Sequence, residues 1–209
     1  MLPRLDDALL DSCRCDVTAP LAGDPARDFG LDPDDCQQRF EVLKRYLDEQ
    51  QQLLWANRRQ ALLLWLQGPD CSGKDGAIRH LFRGLNPQGV DVSNFQLPSA
   101  AERQEHFLAR YQRRLPPLGS IGIFNRSPYE GVVGDRHDGF IGAEQVSPRL
   151  QQIAAFEDQL QGAGILLCKV YLQISAGEQL KRLRKRILTP HKHWKLSAAD
   201  LQAHRQFPQ

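Results

Sequence analysis

The stretch "ALLLWLQGPDCSGKDGAIRHLFRGL", residues 61–85, carries three readings in a row. ALLLWLQ is a continuous apolar run of strand length, as expected of a strand buried on both faces of a parallel sheet. DGAIRHLFRGL reads as a helix that stops near Gly84. Between them, Gly68, Gly73 and Lys74 satisfy G-x-x-x-x-G-K, the spacing of a phosphate-binding loop. Strand, glycine loop and helix in this order give the motif its physical sense. Glycines let backbone N–H groups turn inward around phosphate oxygens, and the helix adds its positive end. The next residue is Asp75, where the usual pattern has the Ser or Thr that holds Mg²⁺.

Working outward, the alternation repeats. VDVSNFQL (90–97) is a second strand, and SAAERQEHFLARYQRRL (99–115) is predicted to be a helix opened by a Ser99-x-x-Glu102 capping box. SIGIFN (120–125) is a third strand. A helix over about 147–161 leads to the strand GILLCKVYLQI (164–174). Ser175-x-x-Glu178 then caps a strongly basic helix, and Ser197-x-x-Asp200 starts another. Cys36–Asn57 has apolar residues at helical spacing and precedes the first strand. Strands separated by helices imply a three-layer, doubly wound parallel sheet, with ligands at the carboxyl ends of the strands. Residues 1–32, rich in Asp, Pro and Gly, read as an irregular arm, leaving 33–209 as one domain.

The 209 residues are 41% hydrophobic and 25% charged, the composition of an ordinary globular protein. The longest apolar run, Ala61–Leu66, is too short to cross a bilayer, and the N-terminus has acids where a secretory signal would be apolar. A cytoplasmic protein without membrane association is expected. Five cysteines without a second close pair argue against a structural metal site. The net charge of +2 is uneven: residues 1–60 hold 8 Lys+Arg against 12 Asp+Glu, and the remainder 19 against 13. The basic part contains the loop, which suits a polyanion.

Candidate site residues follow from chemistry. Lys74 is a mobile point charge for outer phosphates. In the absence of the loop hydroxyl, Asp70 is the favoured carboxylate for Mg²⁺, directly or through water. Asp75 is the rival, although an acid at a helix start also complements the helix dipole. P-loop kinases usually place an acid at the end of the third strand; here stands Asn125, with only a neutral oxygen to offer. Arg126 suits bidentate phosphate contact. Glu130 could restore the missing carboxylate, and a surface ion pair between the two fits their spacing equally well. From Gln179 to Ala199 there is no acid, but seven Lys and Arg with two His. Such density of like charge repels itself unless an anion is present. A solvated face, a nucleic-acid patch or a phosphotransferase lid bent at Thr189-Pro190 would each show it.

LLLWLQGPDCSGKDGAIRH, LNPQGV, LPSAAE, GSIGIFNRSPYE and EQLKRLRKR…PHKHWKLSAADL, in this order from Leu62 to Leu201, together resemble the polyphosphate kinase 2 family. The resemblance implies a P-loop kinase-like fold with a helical lid at about 178–196, and Mg²⁺-dependent phosphoryl transfer between inorganic polyphosphate and ADP or AMP, with ATP among the nucleotides. It puts Asp70, Lys74, Arg126, Arg182 and Arg186 in catalysis, with Asp70 on the metal. Phosphate or nucleotide contacts are implied at Gly68, Ser72, Gly73, Lys74, Asp75, Gly76, Asn125 and Glu130, with Lys192 and Lys195 beside Trp194. The Asn125…Glu130 pairing resembles the subgroup accepting monophosphates as well as diphosphates. A homo-oligomer is expected, and nucleic acid is not the expected partner. The other classes kept open are an ATP-dependent kinase of a small metabolite and a non-catalytic binder of polyphosphate or nucleic acid. Pro69 and His193 depart from the family pattern, the first stiffening the loop, the second replacing a lid arginine. Relatives also continue beyond the point matching Gln209, so weak, assembly-dependent or absent activity is an expectation.

Overall fold

The apolar run of residues 61–67 becomes the strand on which the rest is built. The computed structural model describes residues 7–15, 24–27 and 29–195. In chain order the elements are α1 (Asp7–Cys13), α2 (Pro33–Asn57), β1 (Ala61–Gln67), α3 (Lys74–Phe82), β2 (Val90–Asn94), α4 (Ala109–Gln112), β3 (Ile121–Asn125), α5 (Glu130–His137), α6 (Val146–Gly162), β4 (Ile165–Tyr171) and α7 (Ala176–Ile187), with short 3₁₀ segments between them. The sheet has the order β2-β3-β1-β4 and every pair is parallel. From β1 the chain goes out to β2, returns to β3 beside β1, and crosses to β4 on the other side. The order therefore reverses at β1, and in open α/β sheets the carboxyl end of the strand at such a reversal is where ligands generally bind. This is the P-loop kinase-like α/β fold expected from the sequence.

Burial explains why the run is unbroken. Leu63 and Trp65 of β1 face one way and pack with Ile153, Phe156 and Leu160 of α6. Leu62 and Leu64 face the other way, with Ile121 and Ile123 of β3, Ile78 and Phe82 of α3, and Leu54 of α2. Helices on both faces demand an apolar residue at every position of the central strand. The Trp65 ring stacks on Phe156 with centroids 6.3 Å apart. Burying each such side chain contributes about 1.5–3 kcal/mol.

The chain forms two compact units. The sheet and its helices make one, from Asp48 to Gly68 and Lys74 to Tyr171. The other holds the described residues up to Leu47, the loop tip Pro69–Gly73, and the described chain from Leu172.

Two expectations are corrected, and one helix is added. The capping box forms, with Ser99 N donating to Glu102 Oε2 (2.8 Å) and Glu102 N to Ser99 Oγ (3.2 Å), but no long helix follows. Only a 3₁₀ turn at Glu102–Gln104 continues, Glu105 is extended, and helix returns at α4. The polar stretch ERQEH has nothing to bury, and a helix nucleus without packing does not propagate. α5, with two glycines in EGVVGDRH, was not foreseen. Within the stretch read as an irregular arm, Asp7–Cys13 is helical, built on the helix formers Ala8, Leu9 and Leu10. The helix expected from Ser197 lies outside the described residues.

Candidate active site

β1 ends at Gln67, and Gly68 (φ 152°) turns the chain out of the sheet. Pro69 O accepts Ser72 N (3.1 Å), closing a turn whose third residue, Cys71, has φ 67°. Gly73 has φ 103°, a backbone conformation that calls for glycine, although a Cβ there would meet Arg182 Nη1 only at an ordinary contact distance of 3.4 Å. α3 then starts at Lys74, with Asp75 in its first turn. The strand–loop–helix sequence is thus realised as read.

In the sheet unit, Lys74 Nζ donates to Gly68 O (2.7 Å), folding the side chain back along its own loop. Asp75 Oδ1 accepts Asn125 Nδ2 (2.8 Å), and the same amide donates to Asn94 Oδ1 (2.8 Å). Asn125 is 9% exposed, and its own carbonyl oxygen is buried without a hydrogen-bond partner. Arg126 has φ 77°, rare for a side-chain-bearing residue and typical of functional sites. Its guanidinium pairs with Glu130 Oε2 at 3.3 Å, while Glu130 Oε1 accepts Gln67 Nε2 (2.6 Å). Both readings of that pair remain compatible with its geometry. Gly76 stands exposed on α3 with open space where a Cβ would be.

In the other unit, Asp70 O accepts Gln179 Nε2 (2.9 Å) from α7. Arg182 Nη1 donates to Cys71 O (3.1 Å) and Ser72 O (2.9 Å), and its Nε to Glu178 Oε1 (2.8 Å). Ser72 Oγ is buried without a partner. α7 begins as read, with Ser175 Oγ accepting Glu178 N (3.1 Å). Arg186 is half-buried on the same helix, and Lys192 and Lys195 belong to the 3₁₀ segment Pro190–Lys195 beyond the Thr189-Pro190 break. His193 Nε2 lies 2.6 Å from Ile187 O, so the ring donates its proton there.

The model of the family described as "Polyphosphate kinase 2 (PPK2)" matches residues 30–209. The chain belongs to the polyphosphate kinase 2 family. A relative from Rhodopseudomonas palustris, named ADP-polyphosphate phosphotransferase, is 44% identical over 75% of the chain. One from Meiothermus ruber, named AMP/ADP-polyphosphate phosphotransferase, is 36% identical over 84%. The chain spans 58% of the first relative's length and 69% of the second's. Among solved structures, the polyphosphate kinase 2 of Arthrobacter aurescens TC1 superimposes with a TM-score of 0.88 at 34% identity, covering 95% of this chain and 72% of that one.

Several residues that touch the candidate residues of this polyphosphate kinase 2 chain carry no mark in the sequence. Asn94 carries no motif; it stands beside Asn125 only because the parallel register of β2 and β3 pairs the two. Gln67 and Gln179 are amides in an apolar strand and a basic helix, with nothing in their spacing to mark them. Arg110, Arg113 and Arg114 line a polar hollow of about 260 Å³ that Asn94 and Glu102 share, a feature foreshadowed only by the basic run RYQRR. Among the described residues no cluster of three or more His, Cys, Asp or Glu could hold a metal ion, and no helix is long and apolar enough to cross a membrane.

Proposed function

We propose that the protein moves a terminal phosphoryl group between inorganic polyphosphate and ADP or AMP. The observation that carries this reading is the glycine loop at the carboxyl end of the central strand, with Lys74 opening α3. The names of the relatives from Rhodopseudomonas palustris and Meiothermus ruber support the substrates. A phosphoryl group passing between two oxygens needs positioning and charge neutralisation more than covalent help from the protein. Loop N–H groups hold phosphate oxygens. Lys74 exchanges its contact with Gly68 O for an outer phosphate. Arg126, Arg182 and Arg186 stabilise the negative charge that spreads over the transferring group.

Mg²⁺ fits the donors present. The Asp70 carboxylate is a hard oxygen ligand of the kind it takes, and one or two carboxylates suffice when phosphates complete its shell. Bound there, Mg²⁺ would neutralise phosphate charge. Asp70 is the residue assigned to hold it. A reaction that consumes nucleotides suits the cytoplasm, the compartment this reading expects.

The test is direct. Long-chain polyphosphate, Mg²⁺ and ADP or AMP should yield ATP or ADP, with Lys74→Ala lowering kcat/KM by about a hundredfold or more. No product, with wild type and Lys74→Ala alike, would end the proposal. The same assay with AMP and ADP in competition settles the preferred acceptor.

A further inference from the structure

The loop has an acid where a hydroxyl is usual, and the third strand has an amide where an acid is usual. Those two exceptions touch each other: Asn125 Nδ2 lies 2.8 Å from Asp75 Oδ1. We propose that the strand-end acid has been transposed across this hydrogen bond onto Asp75, with Asn125 as the positioning residue that holds it and Asn94 as the residue that orients Asn125.

The chemistry of the groups fixes the arrangement. A carboxylate only accepts, so the nitrogen of the Asn125 amide must face Asp75. Its second N–H goes to Asn94 Oδ1 (2.8 Å), the register partner on β2. With both donors engaged, the amide cannot turn, and its carbonyl oxygen is left buried and without a partner. Such an atom in the interior points to a ligand not made of protein. The cluster thus offers one negative charge and one free neutral oxygen, the same charge as a hydroxyl with an acid, in reversed places. An Asp serving only the helix dipole has no need of a bond to a residue 50 positions away. The inference rests on the phosphoryl-transfer reading and assigns to Asp75 a cation accompanying the phosphates in addition to the one assigned to Asp70.

Four proteins test it: wild type, Asp75→Asn, Asn125→Asp, and the double swap Asp75→Asn/Asn125→Asp. Mn²⁺ serves as the probe for Mg²⁺, its affinity read by electron paramagnetic resonance of the free ion, alongside kcat/KM for phosphoryl transfer. Asp75→Asn is expected to weaken Mn²⁺ by about tenfold or more. The double swap returns the carboxylate to the strand end and keeps the hydrogen bond, so it should regain about tenfold over Asp75→Asn alone. Asn94→Ala should lower Mn²⁺ affinity severalfold, and Asn94→Asp, which keeps the acceptor, should restore it. Unchanged Mn²⁺ affinity in Asp75→Asn, or a double swap no better than that single variant, overturns the transposition. Should wild type bind Mn²⁺ as described yet transfer no phosphate, it is the proposed activity that falls and the transposition that stands.

Discussion

Glu178 works twice within one turn of α7. Its backbone N–H completes the Ser175 cap, and its carboxylate receives Arg182 Nε at 2.8 Å and lies 3.6 Å from Lys181 Nζ. The hydrogen bond from Arg182, reinforced by the positive charge of Lys181 and Arg182, holds the Glu178 carboxyl below its ordinary value of 4.5. A carboxylate whose folded pKa is depressed stabilises the folded state above its unfolded pKa and loses that contribution as pH falls through the folded one. Melting temperatures of wild type and Glu178→Gln should therefore differ by a constant amount above about pH 5 and converge as the solution becomes more acid. A difference that persists unchanged at acid pH would show that the side chain acts through packing instead. Because the group faces solvent, the difference should also shrink with added salt.

At the scale of elements, Gln51 shows how α2 is fastened to the sheet unit. It is 2% exposed, donates Nε2 to Asn86 O (2.8 Å) and accepts Asn86 N on Oε1 (3.0 Å). One amide thereby satisfies both backbone groups of a residue whose side chain caps the 3₁₀ turn leading into β2. Gln51→Leu keeps the volume and leaves two backbone groups unpaired, at a cost of about 2–4 kcal/mol. Urea midpoints would register it, and a loss under about 0.5 kcal/mol would mean that water replaces the amide. This bond also shows what was legible. The strands could be read because continuous apolar runs bounded by glycine have few other uses, and the loop because its spacing sits between a strand and a helix. α5 could not be read, since EGVVGDRH has no helical stripe and is ordered by Gly131 and Val132 being buried. Nor could Gln51, Asn94 or Gln179, whose roles depend on partners brought close only by the fold.

For the molecule as a whole, the phosphate loop is divided between its two compact units. Gly68 and Lys74 belong with the sheet, and Pro69–Gly73 with α7. Among the bonds that tie the tip to that helix are those from Gln179 Nε2 to Asp70 O and from Arg182 Nη1 to Cys71 O and Ser72 O. Gln179 and Leu183 are each 1% exposed, so the helix is itself firmly held where it grips the loop. These bonds lead to the expectation that α7, more than the strand from which the loop emerges, sets the order of the tip. Amide hydrogen exchange can read this residue by residue, because Ser72 N is protected by its bond to Pro69 O. Gln179→Leu removes the donor to Asp70 O without removing bulk. Exchange at the tip should then accelerate about tenfold, which corresponds to about 1.4 kcal/mol, while β1 amides stay within about twofold of wild type. Were the tip to exchange in step with β1 in both proteins, the loop would owe its order to the sheet and not to the bonds from α7.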